Sequence, residues 1–210
     1  MRTIQEIYDE YNIMPTLREH MFRVAAVGEM ILDSGDFNAD RDQVMTALLL
    51  HDMANIIKFD LTVFPQFLEP QGLEYWQNVQ DSMRDKYGSD EHAAHIAVAH
   101  EVGAGQEVAD LVDAIGFHNL CINAESISWA QKICSYADLR VYPHGVVSLD
   151  QRLQDGRERY QVSPDQERWD LIDCAKQLED QIFERCNITP EDITDAAIAD
   201  YMVKYSEYRL

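Results

Sequence analysis

Residues 47–59 read ALLLHDMANIIKF, from Ala47 to Phe59, a run apolar enough for a protein core that still carries His51 and Asp52 side by side. Adjacent residues of a helix point about 100° apart, so the two side chains do not enter one packing contact, although both follow Leu48, Leu49 and Leu50. A buried acid is costly unless a hydrogen bond or a cation compensates it. The stretch therefore asks what in the interior wants an imidazole and a carboxylate together.

Working outward, the pattern around it is helical. Thr16 and Glu19 have the spacing of a capping box after Pro15, and His20, Val24, Val27 and Ile31 then recur on one face up to the turn DSGD. Val44, Leu48 and His51 continue on a second helix from about Asp40. A helix is expected over Leu73 to Tyr87, ended by Gly88, and another over SDEHAAHIAVAHEVG, ended by Gly103. Val108 to Ile115 and Ser126 to Leu139 follow. After the turn YPHG come Leu149 to Arg159, a long helix from about Pro164 to Cys186, and a last helix opened by TPED, where Pro190 and two acids follow a threonine. No strand-type alternation persists, so the expected class is all-α, a single unit over 1–210 with a C-terminal helical extension over about 148–210.

The 210 residues are 46% apolar and 10% aromatic, enough for a proper core. No apolar run is long enough to span a membrane, and the start MRTIQEIYDEYNI carries acids where a signal peptide carries basic and apolar segments. A cytoplasmic protein is expected. Cys121, Cys134, Cys174 and Cys186 form no CxxC pair and read as free buried thiols. With 17 Lys+Arg against 38 Asp+Glu, the net charge of −21 argues against a nucleic-acid polymer as partner. A small anion in a locally cationic pocket stays compatible with it.

The histidines are the most informative residues. His20 falls on the apolar face of its helix, His51 and Asp52 end an apolar run, His92 begins a helix, His118 ends AIGFHN, and Asp138 closes SWAQKICSYADL. Each of these elements brings a metal-competent side chain toward its inner face. One histidine alone in such a place is ordinarily a hydrogen-bonded core residue. Five or six such side chains in one small unit, two of them buried-looking acids, point instead to a compensating cation. His95, three residues after His92, is an alternative ligand to it, His100 reads as a surface or packing residue, and His144 sits in a turn from which it could reach a substrate.

The order His20, His51-Asp52, His92, His118, Asp138, within the phrases LREHMFRVA, LLLHDMA, DEHAAHIA, AIGFHN and YADLRV, resembles the two-metal members of the HD-domain superfamily of metal-dependent phosphohydrolases. The resemblance spans about Thr16 to Val141. It implies that His20, His51, Asp52 and Asp138 hold one metal, that Asp52, His92 and His118 hold a second, and that Asp52 bridges them. Imidazole with carboxylate suits iron, manganese or zinc, and two such ions would acidify a shared water and hold a phosphoryl oxygen. Many relatives carry a lysine where Asn55 stands here, so Lys58 is the nearest cation for a phosphate, provided the helix continues that far. No GYP motif follows, which disfavours a cyclic dinucleotide phosphodiesterase.

The resemblance implies hydrolysis of a phosphoester or phosphoanhydride in a small nucleotide-like molecule, with dinucleoside polyphosphates as the leading substrates. Asp52, Lys58 and Arg140 are the expected catalytic residues. The ligand series alone also fits a di-iron HD oxygenase, and a non-catalytic binder stabilised by metal is a third reading. In the segment ADLRVYPHGVVSLDQRLQDGRERY, Arg140, with Arg157 or Arg159 folded back, and together with Lys58 and His144, is expected to contact substrate phosphate. The alternative is a solvated helix whose arginines pair with Asp150, Asp155 and Glu158.

Overall fold

The computed structural model of the chain describes residues 1–143, 145–159 and 169–210. Among these residues the fold is all-α apart from one short hairpin. The helices are α1 (Ile4–Glu10), α2 (Pro15–Ser34), α3 (Arg41–Leu50), α4 (Leu73–Tyr87), α5 (Glu91–Glu101), α6 (Gln106–Ala114), α7 (Leu120–Glu125) and α8 (Trp129–Leu139). Strands β1 (Val141–Tyr142) and β2 (Gly145–Val146) pair antiparallel, Val141 opposite Val146, before α9 (Leu149–Arg159), α10 (Trp169–Phe183) and α11 (Asp195–Met202). None of the helices over these residues is long and apolar enough to cross a membrane.

The local signals explain most boundaries, with exceptions. Asp40 caps α3 by accepting from the Gln43 N–H at 3.0 Å. Pro15 itself opens α2, with Met14 at the cap and no side-chain cap bond, so Thr16 already lies inside the helix and the expected Thr16–Glu19 box does not form. A capping box does form at Thr3 and Glu6, opening α1, a short helix that the sequence pattern did not suggest. The TPED signal is spent on one 3₁₀ turn, Pro190–Asp192, and α11 begins later, at Asp195 with Thr194 as its cap. The long helix expected from about Pro164 to Cys186 is seen from Trp169 to Phe183, and Pro164 lies outside the described residues.

Packing places α2, α3, α8 and the α5–α6 pair around one interior. Gly28 lets α2 approach α3, because a Cβ there would stand 2.3 Å from the Leu48 Cδ1. Leu48, Leu49 and Leu50 are fully buried, and the Tyr8 hydroxyl of α1 donates to the Leu49 carbonyl. The C-terminal helices return to this core, α10 against α7 and α8, and α11 against α2. Cys121 of α7 and Cys174 of α10 are joined as a disulfide, which corrects the expectation of free thiols for that pair, whereas Cys134 is a buried free thiol and Cys186 a half-buried one. The cysteines are 53 residues apart in sequence, so only the α7–α10 packing reveals them as neighbours.

Candidate metal centre

Helix α3 stops at Leu50 and His51 occupies its C-cap, so the HD pair lies on the turn where the chain leaves the core. There His51 is 4% exposed, and its Nδ1 donates to the Leu48 carbonyl at 2.8 Å. That bond places the ring proton on Nδ1 and leaves Nε2 with its lone pair inward. The Nε2 atom is buried and has no hydrogen-bond partner.

Three other side chains converge on it. His20, from the second turn of α2, places Nε2 at 3.5 Å from Asp52 Oδ2 and 3.3 Å from Asp138 Oδ1. The His51 Nε2 lies 3.9 Å from Asp52 Oδ2 and 3.5 Å from Asp138 Oδ1. One ligand atom each from His20, His51 and Asp52 falls within 4.8 Å of the others. Donors about 2.1 Å from one ion are separated by about 3.4 Å in tetrahedral coordination, so the 3.3–3.9 Å spacing suits a shared cation. The spacing and the orphaned His51 nitrogen are the structural grounds on which these residues fit a metal.

The electrostatics agree. Burial disfavours charge on His51, but Asp52 and Asp138 outweigh it and raise the imidazole to about 9. Burial likewise pushes Asp52 and Asp138 upward, and the two histidines overcome it, holding Asp52 below the ordinary range and Asp138 well below it. The cluster is an anionic nest that demands positive charge, met by a proton on His51 Nε2 or by a cation held at that atom. Asn55 steadies it, its Nδ2 donating to Asp52 Oδ2 at 2.7 Å.

His92 and His118 come together elsewhere on the rim, ring centroids 5.1 Å apart and edge to face. Asp90 caps α5 and fixes its first turn, where His92 sits. Gly116, at φ 141°, leaves room for the His118 ring, whose Cε1 would lie 3.0 Å from a Cβ at that position. His92 Nε2 bonds to Asp113 Oδ1 at 2.7 Å, a partner that no local pattern in the sequence announced.

His95 stands three residues after His92 on α5. It is buried, accepts from the Ala54 N–H through Nδ1 at 3.1 Å, and feels the charge of Asp52. Burial depresses it to about 4, so it is a neutral ring with its proton on Nε2. As an alternative ligand to His92 it is disfavoured, because Nδ1 is occupied and Nε2 is protonated. His100 is exposed.

The expected phosphate contacts fare differently. The α3 helix does not continue to Lys58, which ends a separate 3₁₀ turn, Asn55–Lys58, half exposed and 3.5 Å from Glu91 Oε1, beside His92. Arg140 is corrected outright, since it is 2% exposed and its guanidinium is spent inside the protein. Its Nε donates to the Val147 carbonyl at 2.6 Å, Nη1 to the Tyr136 hydroxyl at 2.8 Å, and Nη2 to the Pro190 carbonyl at 3.0 Å. It clasps the C-terminal chain and is not available to a ligand. Arg157 is exposed on α9, while His144 and the Arg159 side chain lie outside the described residues. Arg152 holds its guanidinium 5.0 Å over the ring of Phe117, the neighbour of His118, and pairs with Asp155 at 3.4 Å, as the solvated-helix reading of this segment expected, while its buried Nε has no hydrogen-bond partner.

A helical core with a largely buried His/His/Asp cluster at a helix end offers a candidate metal site of the histidine–carboxylate kind. Residues 14–113 match the HD domain family, and His20, His51 and Asp52 all lie inside that span. No curated protein and no solved structure matches the chain.

Proposed function

We propose that the chain is a metal-dependent phosphohydrolase acting on a small nucleotide-like phosphoester or phosphoanhydride, with dinucleoside polyphosphates as the first substrates to test. The observation that carries this reading is the nest of His20, His51, Asp52 and Asp138, whose donor atoms stand 3.3–3.9 Å apart around an unpartnered His51 nitrogen. In this reading a first ion is held by those four residues and a second by Asp52, His92 and His118, each an iron, manganese or zinc ion. Ions so bound supply Lewis acidity toward a phosphoryl oxygen and toward water.

The chain's own residues have separable tasks. Asp52 is fixed by Asn55 through Oδ2, so its carboxylate is held in one orientation beside His20 and His51. The neutral His95 beside it adds no charge to the site. Lys58 and Arg152 offer cations on the side of His92 and Phe117, with Arg157, Arg159 and His144 on the segment that follows Asp138. An anionic substrate approaching a protein of net charge −21 needs such local cations. We take core and C-terminal helices as one domain, and a cytoplasmic site as the setting that composition favours. The Cys121–Cys174 bridge weighs against that setting, because disulfides persist in oxidising compartments.

The test is elemental analysis of protein purified without chelator, followed by a panel of dinucleoside polyphosphates, nucleotides and simple phosphoesters. About two transition ions per chain and phosphate release are expected. Asp52→Ala is expected to lose metal and turnover while remaining folded. Full activity of that variant would end the mechanism, and substrate-dependent oxygen uptake by the wild type would transfer the chain to the oxygenase class.

A further inference from the structure

Asn55 sits three residues after Asp52 and reaches back to it twice. Its N–H donates to the Asp52 carbonyl at 3.1 Å, and its Nδ2 donates to Asp52 Oδ2 at 2.7 Å. That oxygen is the one that faces both imidazoles, 3.5 Å from His20 Nε2 and 3.9 Å from His51 Nε2. The other end of the amide gains nothing, since Oδ1 is buried and has no hydrogen-bond partner among the described residues. An acceptor left unpaired in the interior lowers stability, and an apolar side chain would fill this buried position without that loss. What the amide adds is therefore its bond to the carboxylate.

The turn that carries Asn55 is held from outside. His95 Nδ1 accepts from the Ala54 N–H at 3.1 Å, Gln80 of α4 donates to the Ile56 and Phe59 carbonyls at 2.6 and 2.9 Å, and Arg84 donates to the Ile57 carbonyl. The amide thus meets Asp52 from a fixed direction. A carboxylate oxygen has two lone pairs; the amide takes one and leaves the other for the side of His20 and His51. Being neutral, it fixes Oδ2 without supplying the positive charge that the nest demands.

We propose that Asn55 is the positioning residue of the site formed by His20, His51 and Asp52, making Asp52 a one-oxygen ligand, through Oδ2, of the cation held there. This rests on the metal reading above, and on its first ion only. Asn55 acts through Asp52 and is not itself a ligand.

Metal-free wild type, Asn55→Ala and Asn55→Leu are titrated with cobalt(II) against a competing chelator, the visible d–d bands of the bound ion are recorded, and circular dichroism verifies folding. Leucine keeps the volume that alanine gives up, so a cavity does not account for an effect common to both. The first equivalent of cobalt is expected to bind about 10- to 100-fold more weakly in both variants, the usual cost of losing a hydrogen bond to a ligating side chain. Its bands are expected to change as well, because Asp52 is then free to turn or to bind through both oxygens. Affinity equal to the wild type in both variants overturns the proposal and leaves the metal reading standing. Weaker binding with unaltered bands also overturns it, since Asp52 then keeps its place without the amide. An effect confined to one variant is one of packing and overturns it too. A wild type that takes up no cobalt overturns the metal reading, and the proposal with it.

Discussion

Arg140→Met separates a substrate contact from a structural clasp. The substitution keeps most of the aliphatic stem but removes the guanidinium that serves Val147, Tyr136 and Pro190, the last two at 2.8 and 3.0 Å. Each hydrogen bond to a charged group is worth about 1.5–3 kcal/mol, so three of them bound the loss at about 4–9 kcal/mol. The true loss is smaller, because the desolvation cost of the buried cation disappears with it and water relieves some of the stranded acceptors. A value of about 3–5 kcal/mol is expected, as for breaking other buried charged contacts. At this chain length that corresponds to a fall in Tm of about 6–20 °C, read by thermal unfolding monitored at 222 nm and checked by urea titration. KM for any phosphate substrate is expected to stay within about twofold, below the ~1.4 kcal/mol of a tenfold effect. A variant as stable as the wild type with KM raised tenfold would refute the reasoning and return Arg140 to the substrate.

Two further outcomes test the surroundings of the site. His95, depressed to about 4 by burial, binds its proton in the unfolded chain below about pH 6.5 but not in the fold, so stability is full above that pH and falls as pH drops toward 4, by about 3 kcal/mol. His95→Gln, which keeps an acceptor for the Ala54 N–H, is expected to flatten this slope, measured as urea midpoints at about pH 7 and about pH 4.5; parallel profiles would remove His95 as its source. Reduction of Cys121–Cys174, or Cys174→Ser, is expected to lower stability by about 2–4 kcal/mol, since the bridge closes a loop across 53 residues of sequence separation, and unchanged unfolding with and without reductant would contradict it.

The parts of this molecule legible in the sequence are those whose cause is local or whose cost is high. Helical periodicity and the start of α3 near Asp40 depend on neighbours within one turn, and they read correctly, whereas the helix expected from Ser126 begins at Trp129, with Ser128 as its cap. An imidazole and a carboxylate at the end of three buried leucines stand out because burying them demands compensation. What failed was local chemistry overruled by context. Pro15 claimed the start of α2 from Thr16, and the TPED box closed a 3₁₀ turn instead of an α-helix. The roles of Arg140, His95 and Asp113 depend on partners 50, 41 and 21 residues away. An arginine two residues after a ligand looks the same whether it gates a substrate or grips a distant carbonyl.

That last distinction gives the C-terminal extension a physical role at the metal nest. The HD match ends at residue 113, yet Asp138 of α8 stands 3.3 Å from His20 Nε2 in the cluster. Immediately past Asp138, Arg140 ties the end of α8 to Pro190, and the Arg140 carbonyl accepts from the Val147 N–H at 2.9 Å, closing the hairpin. On the other side of that hairpin, Asp195 at the start of α11 accepts from the Val146 N–H at 3.1 Å and pairs with Arg23 Nε at 3.2 Å, one turn beyond His20 on α2. The two elements that carry His20 and Asp138 are therefore bound to the same C-terminal segment, 190–195. Their Nε2–Oδ1 separation is 3.3 Å, and loosening either tie by about an ångström would spoil any metal coordination there, which tolerates about 0.2 Å. The C-terminal segment is a brace for the elements that carry His20 and Asp138, and the cluster is complete only with α8, which lies outside the matched span.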